Sequence, residues 1–283
     1  MSKIGILVCG NSGIDYIDHE FDLPVIRSIL LAGDKEYRDY IDITAGDFYE
    51  LLSKNQELIP STAQAATGVI LEQYEEMVKK GYDELLVISI SQKLSGTYEG
   101  CMLAAKMLDD VKVTVFDSRT LSYPQAKMAL DASKMIQDGK SLEEVLKRLE
   151  YIRDNSMIWF TVETLRYLVK NGRLSGASGF VGGLLKIKPL LEVTVEGRVE
   201  SIEKIRTSSK ATARIIEKFL EETEGLDVEP FLVNTNNQER IDFVIDALKA
   251  ARPEYKEINV YPLTPVVGAH AGPGTVGIGY IKK

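Results

Sequence analysis

The chain has 283 residues, 45% of them hydrophobic, and a formal charge of −8 from 34 Lys+Arg against 42 Asp+Glu. That length leans toward two domains, and the acidic balance argues against a general nucleic-acid binder working through a basic face. The two cysteines, Cys9 and Cys101, sit in no paired motif, which argues against a disulfide framework or zinc knuckle and fits a reducing compartment.

The opening, MSKIGILVCG, reads as a strand and lacks the longer apolar stretch and small-residue cleavage site of a signal peptide. No apolar run approaches the ~20 residues needed to cross a bilayer, and the densest, residues 179–193, is broken by Lys186 and Lys188. The expectation is a cytoplasmic protein without stable membrane insertion.

In chain order, residues 3–9 form an apolar strand, and residues 25–31 are a second candidate before the polar turn at Gly33-Asp34. Residues 48–53 read as a short helix with Thr44 as a cap. Residues 62–80 carry Val69, Ile70, Tyr74, Met77 and Val78 at helical spacing and stop at Gly81. A strand follows at 85–90, a helix at 95–108 and a strand at 111–116. Pro124 opens a helix that Gly139 ends, and Ser141 with Glu144 forms a capping box for the next. Such alternation implies a parallel sheet covered on both faces.

The second half differs. Residues 157–162 read as a strand and 163–170 as a helix, before a Gly/Ser-rich stretch at 172–183. Residues 188–194 and 199–205 flank a hairpin turn at Glu196-Gly197. Helices follow from about Ser209 and Gln238, with strands at 230–234 and 257–261. The ending reads as strand, glycine loop, strand around His270. The fold class is therefore α/β in two domains. Residues 1–155 form a three-layer α/β/α domain with a parallel sheet, and residues 156–283 a two-layer α/β domain with a mixed sheet.

Ligands of parallel sheets gather at the carboxyl ends of the strands. The loops there are residues 9–13, 91–97 and 117–118, with a fourth at 60–64 before a helix. Hydroxyls and free N–H groups at helix starts bind anions, although Ser and Thr also serve there as plain caps. His270 is crowded by Gly268, Gly272 and Gly274, as a ligand turn or a histidine satisfied by backbone would be. His19, between Asp18 and Glu20, reads as solvated. Arg173, just past a helix, offers a guanidinium for a carboxylate or phosphate, or simply complements the helix end. No GxxxxGK[ST], HExxH or GxSxG motif is present. The residues alone indicate a two-domain α/β binder of a small anion.

Five segments in order resemble the DegV family. They are 94–98 (LSGTY), Asp117-Ser118, 170–175 (KNGRLS, against KGGRIS), 185–190 (LKIKPL, against LLxIKPIL) and 270–274 (HAGPG, against HxGPG). The resemblance spans nearly the whole chain. It implies a fatty acid held in a tunnel near the domain junction, its carboxylate at Thr62, Ser95, Gly96, Arg173 and His270, and no cofactor. It also implies a non-catalytic carrier that offers the fatty acid to a separate fatty acid kinase. The sequence departs from the family's VTDS at Cys9-Gly10-Asn11-Ser12, which loses a negative charge. It also departs from TSQPS at residues 62–66 (TAQAA), and Pro124 stands where small residues are common. A second class stays open: a hydrolase or transferase pairing Ser95 or Ser118 with His270, oriented by Asp117.

Overall fold

The computed structural model describes residues 3–109, 111–176 and 187–283. Strands β1 (Ile4–Cys9), β2 (Val25–Ile26), β6 (Glu84–Ser89) and β7 (Lys112–Asp117) form a parallel sheet in the order β2-β1-β6-β7. Alternation along these strands feeds two cores. Leu7, Cys9, Leu85 and Val87 pack under helices α2 (Thr67–Lys79) and α3 (Thr97–Lys106). Ile6, Val8, Leu86 and Ile88 pack under α4 (Ser122–Gln137) and α5 (Leu142–Asp154). The Ser141 capping box is present at the start of α5.

The second sheet is mixed and six-stranded. It uses β8 (Ser156–Thr161), β9 (Leu190–Val193), β10 (Val199–Glu203), β11 (Val228–Asn234), β12 (Asn259–Pro262) and β13 (Val276–Lys282), in the order β10-β9-β8-β13-β11-β12. Its two faces also alternate. Trp159, Leu232 and Ile278 pack against α7 (Ser208–Glu222) and α8 (Gln238–Ala251). Ile158, Phe160, Phe231 and Val233 face the other way, into the core shared with α4 and α5. The two sheets thus grip one helical layer, and the two-domain α/β architecture follows. Tyr123 of α4 stacks on Tyr261 and hydrogen-bonds Glu229, which ties the halves side chain to side chain.

A third sheet was not legible in the sequence. Strands β3 (Ile29–Ala32), β4 (Lys35–Arg38) and β5 (Ser61–Ala63) pair in the order β4-β3-β5. This sheet lies beside α1 (Ala45–Lys54), which Thr44 caps, and α9 (Pro265–Ala271).

Three expectations are corrected. The run 25–31 is two strands in two sheets, because the chain leaves β1 after a two-residue pairing and Arg27 is drawn aside by Asp15. Thr62 lies on β5 instead of opening a helix; pairing with Leu30 holds it extended. The segment before His270 is helix α9, not a strand: Pro265 presets its first turn, and tertiary burial of Val266 and Ala269 overrides the β-branched Val266-Val267 pair. Beyond Gly176, the expected Gly/Ser-rich stretch lies outside the described residues, as do Leu185 and Lys186 of the 185–190 motif.

Candidate functional site

A cavity of about 280 Å³ opens where the carboxyl ends of β1 and β6 meet the mixed sheet. That is near the lower bound of typical ligand pockets, roughly 300–1,000 Å³. Its walls are apolar and come from both halves: Ile90, Leu94 and Leu121 on one side, Ile158, Phe160, Val193, Val199 and Val233 on the other. Thr62, Ser95, Gly96, Arg173 and His270 all line it, so the structure brings together the five residues that the resemblance assigned to a carboxylate, while His19, Asp117 and Ser118 are not in its lining.

Each polar residue arrives on a different element. Thr62 is on β5, His270 on α9, Ser95 and Gly96 in the loop entering α3, and Arg173 follows α6 (Arg166–Lys170). Thr62 Oγ1 and His270 Nε2 are 2.8 Å apart. In the Nε2–H tautomer the imidazole donates to the threonine oxygen and frees the threonine proton for a ligand. Burial, with the nearby Arg173 charge adding to it, pulls the His270 pKa down to about 4. The histidine is therefore neutral at neutral pH, and among the described lining residues the positive charge is that of Arg173.

Arg173 donates from Nε to Leu94 O at 3.1 Å and from Nη1 to Asn171 O at 2.6 Å. Asn171 is a hub that the sequence reading quoted without assigning it a role. Its Nδ2 donates to Pro60 O and to Ala269 O, both at 3.1 Å. One short motif thereby fixes the chain two residues before Thr62, one before His270 and one before Ser95.

Ser95 Oγ accepts from the Thr97 amide at 3.2 Å and lies 2.8 Å from Thr97 Oγ1. It thus ties down the first amide of α3, and the residue also lines the cavity. A Cβ on Gly96 would collide with the Gln64 side-chain oxygen, so glycine there lets Gln64 lie across the loop. Ala63, Gln64 and Gly96 are exposed, which places the polar end at the surface. Asn11, Ser28 and Ser122 also line the cavity. Asn11 belongs to the loop at residues 9–13 flagged in the sequence, whereas Ser28 and Ser122 were not singled out: Ser28 hides in an apolar run, and Ser122 lies beyond the recognised Asp-Ser pair.

The Ser/His alternative lacks its third group. His270 Nδ1 is buried without a partner among the described residues. Asp117 instead accepts from Gln92 N, Gln92 Nε2 and Arg119 N. Ser118 Oγ is turned to Thr120 O at 3.1 Å.

A mostly apolar chamber with polar groups near the surface, shared by a parallel and a mixed sheet, defines a two-domain α/β protein with an amphipathic cavity between its sheets. The DegV family model matches residues 11–283, and the chain belongs to that family. Protein DegV of Bacillus subtilis is 36% identical over 252 residues, 88% of each chain. The crystal structure of DegV, a fatty acid binding protein from Bacillus subtilis, superimposes with a TM-score of 0.86 at 31% identity, covering 100% of both chains. The Streptococcus pneumoniae fatty acid kinase B3 protein, solved loaded with linoleic acid, shares the fold. Its TM-score is 0.82 at 20% identity, covering 99% of this chain and 100% of that one. No helix among the described residues is long and apolar enough to cross a membrane.

Proposed function

We propose that this protein binds one long-chain fatty acid where domain 1–155 meets domain 156–283, with no cofactor and no chemistry of its own. The observation that carries the reading is the cavity: its walls are mostly apolar, and Thr62, Ser95, Gly96, Arg173 and His270 meet in its lining. Each buried methylene contributes ~0.8 kcal/mol, so a chain with ~14 of them gains on the order of 11 kcal/mol before immobilisation costs. The polar groups then need only satisfy the carboxylate. Arg173 supplies charge, and the Thr62 and Ser95 hydroxyls supply hydrogen bonds.

The exposed position of Gln64 and Gly96 supports the second part of the proposal. A carboxylate held at the surface is within reach of another protein, which fits presentation to a fatty acid kinase that converts it to acyl phosphate in the cytoplasm. The deciding experiment is mass spectrometry of lipid extracted from protein purified without detergent. One fatty acid per chain is the expected result. A protein that stays empty after feeding several chain lengths overturns the reading.

A further inference from the structure

The polar part of the cavity lining has two banks. Thr62 and Ala63 of β5 form one, and Ser95 and Gly96 of the loop entering α3 form the other. Gln64 joins them. Its backbone follows β5 directly, while its side-chain amide rests on the first turn of α3. A Cβ at Gly96 would collide with Gln64 Oε1, and a Cβ at Gly100 would stand 3.2 Å from Gln64 Nε2. Two glycines one helical turn apart thus leave a slot into which the amide fits. Gln64 both lines the cavity and is exposed, so its side chain crosses from bank to bank between the interior and solvent.

The chain around it is bare. Of residues 63–66, Gln64 alone has atoms beyond Cβ. It makes no hydrogen bond to another described residue, Thr62, Ser95, Arg173 and His270 included. Packing in the glycine slot holds it there, and rotation about its own side-chain bonds swings it into solvent without breaking a hydrogen bond within the described protein.

We propose that Gln64 is the gate of the cavity: lodged on Gly96 and Gly100 it closes the passage between the banks, and swung outward it lets a fatty acid enter or leave. The proposal rests on the fatty-acid reading and adds the step that governs exchange of the ligand. The gate leans on α3 and not on the groups assigned to the carboxylate, so it closes alike over an empty and a filled chamber. An element whose two states bind the ligand equally does not change the equilibrium affinity. It scales association and dissociation together.

Stopped-flow mixing with the fluorescent fatty acid cis-parinaric acid, followed by its displacement with excess hexadecanoic acid, measures both rate constants. In Gln64→Ala both are expected to rise by the same factor while Kd holds. That factor is about tenfold or more where the open state is a minor one, populated at roughly 10% or less. Gln64→Met refills the slot with a side chain of similar length and no amide, and its rates are expected to return to those of the unaltered protein. If Gln64→Ala changes neither rate constant, the gate is overturned and fatty-acid binding stands. If Kd rises while association is unchanged, Gln64 is a ligand contact and the gate is again overturned. Exchange in Gln64→Met as fast as in Gln64→Ala also overturns it. If none of the three proteins binds either acid, both readings fall.

Discussion

Thr62 and His270 stand 208 positions apart in the chain, yet their Oγ1 and Nε2 atoms lie 2.8 Å from each other. β5 delivers one and α9 the other, and Asn171 holds both backbones in place. Thr62→Val keeps the shape and removes the hydroxyl. A hydrogen bond to a charged group is worth about 1.5–3 kcal/mol, so fatty-acid affinity should fall by roughly 10–100-fold with little change in folding. Displacement of a fluorescent fatty acid measures it, and unchanged affinity removes Thr62 from the head-group site.

His270 also sets a pH dependence. Its folded pKa, about 4, lies below the ordinary 6.5. Between those values the unfolded chain binds the proton and the folded chain refuses it. This contribution to stability is therefore complete above pH 6.5 and is lost as pH falls toward 4. The full effect is up to about 3 kcal/mol. Urea denaturation of the unaltered protein and of His270→Phe across this range should show a pH-dependent gap, smallest at the acid end. A gap that does not vary with pH contradicts the assignment.

Asp39 works in the opposite direction. It is buried beside Tyr16 and Tyr49, and among the described residues its carboxyl oxygens have only the Val266 amide and the Thr264 hydroxyl close by, neither in good hydrogen-bond geometry. Burial pushes its pKa from 3.8 up to about 7, against the pull of Arg27 and with help from Asp15. The folded chain holds a proton that the unfolded chain releases, so stability is lost as pH rises from 3.8 to about 7. Asp39→Asn should abolish that loss and be the more stable protein at pH 8, by up to about 4 kcal/mol. Equal stability of the two proteins at pH 8 refutes the buried-acid account.

Gly197 closes the hairpin between β9 and β10 with φ of +80°. The same turn docks on the other half of the molecule, where its carbonyl accepts from Ser91 Oγ at 2.7 Å. A Cβ at Gly197 would collide with Ser91 Oγ and stand 2.9 Å from Arg119 O. Gly197→Ala carries a left-handed backbone penalty of about 1–2 kcal/mol and also breaks this contact. A lower denaturation midpoint is expected, together with weaker ligand retention, because Val193 and Val199 of the same hairpin wall the cavity. A variant with an unchanged midpoint contradicts this.

The layers and the five residues that meet in the cavity were legible because each leaves a local trace. The alternation of Leu7 with Val8, or of Trp159 with Phe160, marks a strand with two different neighbours. The motifs around Ser95, Arg173 and His270 are contiguous in the chain. The third sheet left no such trace: β4, Lys35–Arg38, is polar and mostly exposed, and β5 is three residues of Ser, Thr and Ala. α9 misled for the opposite reason, since its Val-Val-Gly pattern speaks for extended backbone and only tertiary burial makes it a helix. Asn171 was hidden because its role depends on partners far away in sequence, which periodicity does not report.

The wall of the chamber is divided, with Ile90, Leu94 and Leu121 facing Phe160, Val193 and Val233 across open space. Whatever molecule occupies that space becomes the filling between the two halves. An occupant that binds only the folded chain raises the free energy of unfolding in proportion to the logarithm of its supply. Heat resistance of this protein then rises with the occupant's abundance.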